Sequence, residues 1–169
     1  MNVEDAIRDR RTHKVFAPEP LPRALLDELL ELARWAPNHH LTNPWRFRVL
    51  GPRSLQRLKQ VAEPEAAAKL DRAPTLVALT HTRSSDPVQD EEDLCATACA
   101  AYALLLAAHG CGLAGYWRTP HVLRTPEGRT ALGIKDDERF VALIHLGWPR
   151  QEKEPPERAP RSHVVSYLD

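Results

Sequence analysis

The chain has 169 residues, of which 43% are hydrophobic and 27% are charged. This composition is typical of one compact globular domain, here residues 1–169, and is too apolar for a disordered protein. Lysine plus arginine and aspartate plus glutamate both total 23, so the formal net charge is zero. No overall field therefore attracts nucleic acid or an anionic membrane, and any anion site has to be local.

The cysteines and the N-terminal charges predict a cytoplasmic protein. Cys95 and Cys99 fall within one predicted helix, and an odd total of three cysteines gives no disulfide framework. The first thirty residues carry charges too densely to form the apolar core of a signal peptide.

Two helices are predicted before Pro37. Asn2 and Asp5 resemble a helix cap, so a short first helix should follow, with an inward face made of Val3, Ala6 and Ile7. Residues 23–36 have helical periodicity, and Pro37 ends that segment. The expected buried stripe of the second helix consists of Leu25, Leu29, Leu32, Ala33 and Ala36.

Helices and strands alternate further along the chain. A polar loop at 38–44 leads into a strand at 45–50, and residues 54–70 are predicted to be helical with a break near Pro64. Two stronger strands are predicted at 75–80 and 140–147. No glycine-rich turn of the dinucleotide-binding type accompanies them, so the pattern predicts layers of helices on a sheet without that motif.

Residues 94–117 contain no aspartate, glutamate, lysine or arginine, and this length suggests a membrane span. However, the stretch is mostly alanine, glycine, cysteine and threonine, so its transfer into lipid is poorly favoured. We therefore predict a helix that is buried on nearly all sides, in a core or in an interface.

Four prolines predict that residues 150–161 form an extended arm, followed by a short strand at 164–168. Such an arm rarely folds back alone, so it is expected to wrap around a partner subunit. Its own cations, Arg150, Lys153, Arg158 and Arg161, are all open candidates for binding an anion.

Three segments carry residues suited to chemistry. The first, residues 10–14, combines guanidinium groups, a hydroxyl and an ammonium, which can bind a phosphate or an anionic flavin edge, although such a run can also be a solvated turn. The second holds His39 and His40, but adjacent residues point apart and no further ligand has a suitable spacing, so a metal site is not expected. The third, residues 110–120, has glycines that allow a flat ligand to approach, or that simply cap a helix.

Five motifs in order resemble the nitroreductase family over nearly the whole chain, and most closely its minimal, YdjA-type members. They are residues 10–16, residues 36–47, Ala73-Pro74 before a strand, the turn from Gly112 to Thr119, and residues 141–149. The resemblance implies an α+β fold of three layers (α/β/α), with a mostly antiparallel central sheet flanked by helices. It also implies bound FMN, a site built between two subunits, and a C-terminal arm exchanged across a homodimer.

The resemblance assigns roles to individual positions. Arg10, Arg11 and Thr12 match the segment that binds the FMN phosphate and ribityl chain, and Lys14 matches a residue near the flavin pyrimidine edge. Trp35 and His39 would come from the partner chain. Residues 107–112, which end at Gly112, and Trp117, Arg118 and Thr119 match segments that line the other side of the flavin.

This sequence departs from the family pattern in the loop before Pro44. Asn38, Leu41 and Asn43 stand where the pattern usually has serine, asparagine and glutamine. The hydrogen bonds to the flavin edge, and with them the substrate range, are therefore expected to differ.

The expected activity is reduction of nitroaromatic or quinone-like acceptors by NAD(P)H, with hydride passing through flavin N5 in ping-pong order. No catalytic side chain or metal is needed for this chemistry, and Lys14 or Arg118 would stabilise negative charge at the flavin. Apolar walls such as Trp35 or Trp45 would suit a small aromatic acceptor. The alternative is a flavin-binding or redox-sensing protein without efficient turnover; a nucleic-acid binder using residues 8–14 is disfavoured by the neutral charge.

Overall fold

A computed structural model describes residues 2–169 and shows one four-stranded antiparallel sheet with strand order β1-β2-β4-β3. The strands are β1 (Trp45–Val49), β2 (Thr75–Thr82), β3 (Ala114–Arg118) and β4 (Glu138–Gly147). Six helices accompany them among the described residues: α1 (Val3–Asp9), α2 (Arg23–Ala33), α3 (Pro52–Gln60), α4 (Pro64–Ala68), α5 (Pro87–Gly110) and α6 (Pro126–Ala131).

The sheet is covered by helices on both faces, because the central strands alternate apolar side chains to each side. Val77 and Leu79 of β2 pack with α2 and α5, whereas Leu76 and Ala78 pack on the opposite face with residues of α3 and α6. The predicted α+β fold of three layers with an antiparallel sheet is therefore confirmed.

Several elements differ from the sequence predictions. β3 was expected to be the end of a buried helix, since alanine and glycine give it little strand signal. On α2, Leu26 is buried and Leu32 is exposed, so the predicted stripe is shifted at Leu32. None of the α1 residues is buried, and Val3 and Ile7 are 73% and 51% exposed, so α1 contacts α5 but leaves most of its predicted inward face in solvent within one chain.

Helix α5 is long and apolar enough to cross a membrane by length and composition alone. Eight of its residues are buried, however, and they include Leu104, Leu105 and Ala108 in the core beneath the sheet. Its other face exposes Cys95, Cys99 and Tyr102. The expectation of burial on nearly all sides is therefore wrong for one chain, and the exposed face remains available for an interface.

The C-terminal arm has no regular secondary structure at residues 152–160 and ends in a short 3₁₀ helix, Arg161–His163. The short strand predicted at 164–168 is not formed, because no strand of the same chain lies beside these residues to provide a hydrogen-bonding ladder. Val164, Tyr167 and Leu168 are among the most exposed apolar side chains.

His145 on β4 is fully buried, and neither of its ring nitrogens has a hydrogen-bond partner among the described residues. Burial, together with the positive charges of Arg118 and Arg72, lowers the pKa of His145 from 6.5 to about 3. The imidazole therefore stays neutral in the folded protein, while the unfolded chain takes up a proton below pH 6.5.

This difference predicts that His145 contributes to acid destabilisation. As the pH falls from 6.5 toward 3, the folded state should lose up to about 1.4 kcal/mol per pH unit through this residue. His145→Leu should reduce the slope of unfolding free energy against pH in that window and leave the slope above it unchanged. Urea denaturation at several pH values measures both slopes, and equal slopes for the two proteins below pH 6.5 would contradict the assignment.

Candidate flavin site at the β3 edge and the N-terminal basic segment

β3 is an edge strand, and the N-terminal basic segment lies beside it. Thr12 forms an isolated parallel bridge with Gly115, and the backbone N–H of His13 donates to the Gly115 carbonyl at 3.2 Å. An edge strand presents backbone N–H and C=O groups that its own sheet does not use. The bridge covers the edge at Gly115, so the edge from Trp117 to Thr119 can bond a polar ring.

A cavity of about 260 Å³, which we call the cationic cavity, lies between the basic segment and the C-terminal arm. It is lined by Arg10, Arg11, Thr12, Lys153, Glu154, Pro156 and Arg158. Four of these side chains are cationic and one is a carboxylate, although the chain as a whole is neutral. Arg10 and Arg11 form no salt bridge within the described residues, and the Nε atom of each is buried without a partner.

The C-terminal arm reaches this cavity within the same chain through Lys153. The Lys153 ammonium donates to the Thr12 carbonyl at 2.6 Å, which fixes the start of the arm beside the basic segment. Burial lowers the pKa of His13, and the charge of Lys153 lowers it further, so a positive field is present here. Of the four arm cations, Lys153 and Arg158 line the cavity, and a multiply charged anion such as a phosphate monoester fits this set of donors.

A second depression, the apolar groove, lies along the exposed face of α5. It has a volume of about 540 Å³ and is lined by Leu32, Trp35, Ala36, Pro37, Ala98, Cys99, Tyr102, Ala103 and Trp117. The structure thus brings Trp35 and Trp117 to one groove within a single chain, with Trp35 78% exposed. Tyr102 joins the groove to the cationic cavity, because the Arg10 guanidinium lies 6.0 Å from the centre of its ring.

The glycines after α5 have structural reasons of their own. Gly112 has φ +75°, its N–H donates to the His109 carbonyl, and the Leu113 N–H donates to the Ala108 carbonyl, both at 2.9 Å. This is a Schellman cap, in which the left-handed position favours glycine. At Gly115 a Cβ atom would lie 2.4 Å from Leu105 Cδ2, so a larger residue here would require the buried Leu105 side chain to shift. Helix capping therefore explains Gly112 without a ligand, and its role in lining a flavin stays a prediction.

The loop between α2 and β1 has an unusual backbone. His40, Leu41 and Asn43 have φ values of 53°, 52° and 47°, a left-handed conformation that is strained for residues other than glycine by about 1–3 kcal/mol each. The Asn38 carboxamide oxygen accepts from the Asn43 N–H at 2.9 Å and closes the loop internally. The side chain of Leu41 is 77% exposed, so no packing within the chain explains its conformation.

Two acidic side chains of α5 bind this loop through side-chain contacts. His39 Nδ1 lies 2.7 Å from Glu92 Oε2, and the Thr42 hydroxyl donates to Asp93 Oδ1 at 2.6 Å. Asp93 is only 4% exposed. The structure therefore joins His39 to α5 of its own chain, and its predicted contact with a flavin of the partner chain stays a prediction.

The other predicted site residues are not all brought together. Lys14 and Thr119 are exposed near the β3 edge. Arg118 points to the opposite face of the sheet from Trp117, because neighbouring strand residues alternate. There it stacks 5.9 Å over the Tyr116 ring and donates to the Lys69 carbonyl at 3.1 Å. Arg118 thus lies apart from the cationic cavity within one chain, and its predicted role at the flavin remains without a supporting contact.

Sequence reasoning missed Tyr102, which links the two depressions, and Glu92 and Asp93, which hold the loop. A tyrosine inside an uncharged helix is a weak signal, since most such residues are part of a core. Glu92 and Asp93 could not be distinguished by sequence from other charged helix residues, because their partners His39 and Thr42 lie about fifty residues earlier in the chain.

Comparisons with known proteins agree with this geometry. The family model described as the nitroreductase family matches residues 7–68 and 55–148. The chain is 28% identical to YfhC of Bacillus subtilis, over 94% of this chain and 90% of that protein, and 28% identical to YdjA of Escherichia coli K12, over 89% and 90%. The names of both relatives describe an NAD(P)H nitroreductase.

Solved structures share the fold. A nitroreductase-like family protein from Bacillus cereus superposes with a TM-score of 0.90 at 22% identity, covering 100% of this chain and 97% of that one. A Desulfovibrio desulfuricans protein described as a nitroreductase in complex with FMN gives 0.83 at 23% identity, covering 100% and 98%. With the family model matching most of its length, this chain belongs to the nitroreductase family.

Proposed function

We propose that this protein is an FMN-dependent oxidoreductase that uses NAD(P)H to reduce nitroaromatic or quinone-like acceptors in ping-pong order. The observation that carries the proposal is the cationic cavity, where Arg10, Arg11, Lys153 and Arg158 converge in a chain of zero net charge. Only one carboxylate, Glu154, lines the cavity with these four cations, so a bound anion would offset their mutual repulsion. The names of the relatives and the FMN in a structural neighbour support the choice of a flavin phosphate.

The described residues fit FMN, which has a charged phosphate at one end and a flat ring at the other. Arg10, Lys153 and Arg158 would bind the phosphate, and the Thr12 hydroxyl would contact the ribityl chain. The β3 edge from Trp117 to Thr119 would bond the polar edge of the ring through its backbone.

When bound, FMN supplies hydride acceptance and donation at N5. The protein contributes position and charge. Lys14, two residues beyond the Thr12–Gly115 bridge, would stabilise negative charge at the pyrimidine edge of the ring. Arg118 is less suited to this role, because its guanidinium is engaged with the Lys69 carbonyl.

A homodimer is part of the proposal. One chain leaves several large apolar side chains in water, including Trp35 and Tyr102 at the apolar groove and Tyr167 and Leu168 in the arm. Exposed apolar surface of this kind marks an interface. A second copy over α5 would cover the groove and bring its own loop, with His39, toward the flavin of the first.

The acceptor would be small and aromatic. Indole side chains at the groove, Trp35 and Trp117, provide flat apolar surfaces that stack on such rings. If one flavin face is open, NAD(P)H and the acceptor must use it in turn, which is the reason for the ping-pong order. The alternative, flavin binding or redox sensing without efficient turnover, rests on the same phosphate contacts and differs only in the rate of reduction.

The binding site is tested by comparing FMN with riboflavin, which lacks the phosphate. Arg10→Gln and Lys153→Gln should each raise the dissociation constant of FMN about 10- to 100-fold, since a charged hydrogen bond contributes about 1.5–3 kcal/mol. Riboflavin binding should change little. Arg53→Gln, an exposed position on α3, is the matched control and should bind FMN normally.

The outcomes separate the two functions. Flavin fluorescence titration measures the constants, and anaerobic addition of NADH or NADPH shows whether the flavin absorbance bleaches. Bound FMN that neither nicotinamide bleaches would favour redox sensing over reduction. Equal FMN affinity in the wild type and both site variants would place the phosphate outside the cationic cavity.

Two truncations test the role of the arm. Ending the chain after Arg150 removes Lys153, Arg158 and the apolar tail, so both dimerisation and FMN retention should weaken. Ending it after His163 keeps the two cations and removes only residues 164–169, so dimerisation should weaken more than the phosphate contacts. Sedimentation equilibrium and flavin content measure the two effects, and full retention of both after the first truncation would contradict the proposal.

A further inference from the structure

We infer that Asp93 of α5 is a positioning residue, which holds the strained loop at 38–43 through Thr42 in the conformation that the flavin site requires. The inference rests on the proposed function only in assigning the loop to the flavin site. The contact itself is a feature of the single chain.

Asp93 is an acidic residue in a buried position, where charged side chains are uncommon. Its carboxylate is 4% exposed and accepts two hydrogen bonds at Oδ1, from the Thr42 hydroxyl at 2.6 Å and from Gln89 Nε2 at 3.0 Å. No lysine, arginine or histidine nitrogen of the described residues lies within 4 Å of it. A buried carboxylate with only neutral donors is unfavourable for stability. We therefore infer that Asp93 serves to hold Thr42 in place.

The loop needs such an external restraint. Three non-glycine residues, His40, Leu41 and Asn43, have positive φ, and such conformations persist only where surrounding structure imposes them. The internal bond from the Asn43 N–H to Asn38 closes the loop but does not fix it to the core. Thr42 lies between the strained residues, and its bond to Asp93 fixes the loop to the longest helix of the described chain.

The contact to Asp93 is better suited to positioning than the parallel contact to Glu92. The side chains of His39 and Glu92 are 56% and 39% exposed, and water screens a pair at this exposure, so its contribution is small. The Thr42–Asp93 bond is formed at a buried acceptor, where a hydrogen bond is stronger. Its loss should therefore free Leu41 and His40, the side chains that the loop projects outward.

The test uses substitutions that change one hydroxyl. Thr42→Val removes the donor at constant size, and Thr42→Ser restores it. Thr97→Val is the matched control: Thr97 lies one turn along α5 from Asp93, and its hydroxyl is buried without a hydrogen-bond partner. Asp93→Ala, which removes the acceptor, completes a double-mutant cycle when made alone and together with Thr42→Val.

The first readout is hydrogen exchange of the loop amides in the protein without flavin. Exchange at Asn43 should accelerate about tenfold in Thr42→Val, as for loss of one hydrogen bond to a charged group, and remain unchanged in Thr42→Ser and Thr97→Val.

The second readout compares the change in the acceptor KM with the change in kcat. FMN dissociation and the acceptor KM should rise about tenfold while kcat at saturation changes less than about twofold, because binding geometry is lost rather than chemistry.

Each result decides between the possibilities. Equal exchange rates in Thr42→Val and Thr97→Val, or strictly additive effects in the cycle, would overturn the positioning role. Faster exchange with unchanged FMN dissociation and unchanged acceptor KM would overturn its link to the site. If the wild-type protein binds no FMN, the proposed function fails, and the exchange measurement still decides whether Asp93 holds the loop.

Discussion

Packing of α5 against the sheet is the interaction on which the other features depend. Leu104 and Leu105 are buried under the strands, and the absence of a side chain at Gly115 lets β3 lie directly on the helix. At 24 residues, α5 is roughly 36 Å long, so one rigid element spans the domain. Its first half fixes the strained loop through Asp93, and its second half presents Tyr102 to Arg10 and ends in the cap that starts β3.

This arrangement explains how a neutral chain can form a strong local anion site. The basic segment is held by its bridge to Gly115, and the arm is held by Lys153 at the Thr12 carbonyl. The first anchor is a backbone bridge and the second uses the Lys153 ammonium, and neither involves the guanidinium groups of Arg10 and Arg158, which form no salt bridge within the described residues. Only one carboxylate, Glu154, lines the cavity with the four cations, so most of the local positive charge is not neutralised there.

Local sequence patterns predicted the parts of the fold that local forces decide. β2 and β4 were predicted because runs of apolar residues between turn signals favour buried strands, and the second helix because of its 3.6-residue period. β3 was missed, since Gly115 is explained by its close approach to Leu105, a contact that no local pattern contains. Likewise, the sequence left four arm cations open, and only the path of the chain selects Lys153 and Arg158 for the cavity.

The site residues also separate into those that local sequence places together and those whose position depends on the fold. Arg10, Arg11 and Thr12 are neighbours in sequence and meet in one cavity, whereas Arg118 lies on the far face although Trp117 is adjacent, because a strand alternates its side chains. Exposed apolar side chains on α1, α5 and the arm are unfavourable in one chain and would be covered by a second copy. The strain in the loop is different, because the Thr42–Asp93 contact that maintains it lies within one chain. A site that is complete only in the pair would couple flavin retention to assembly.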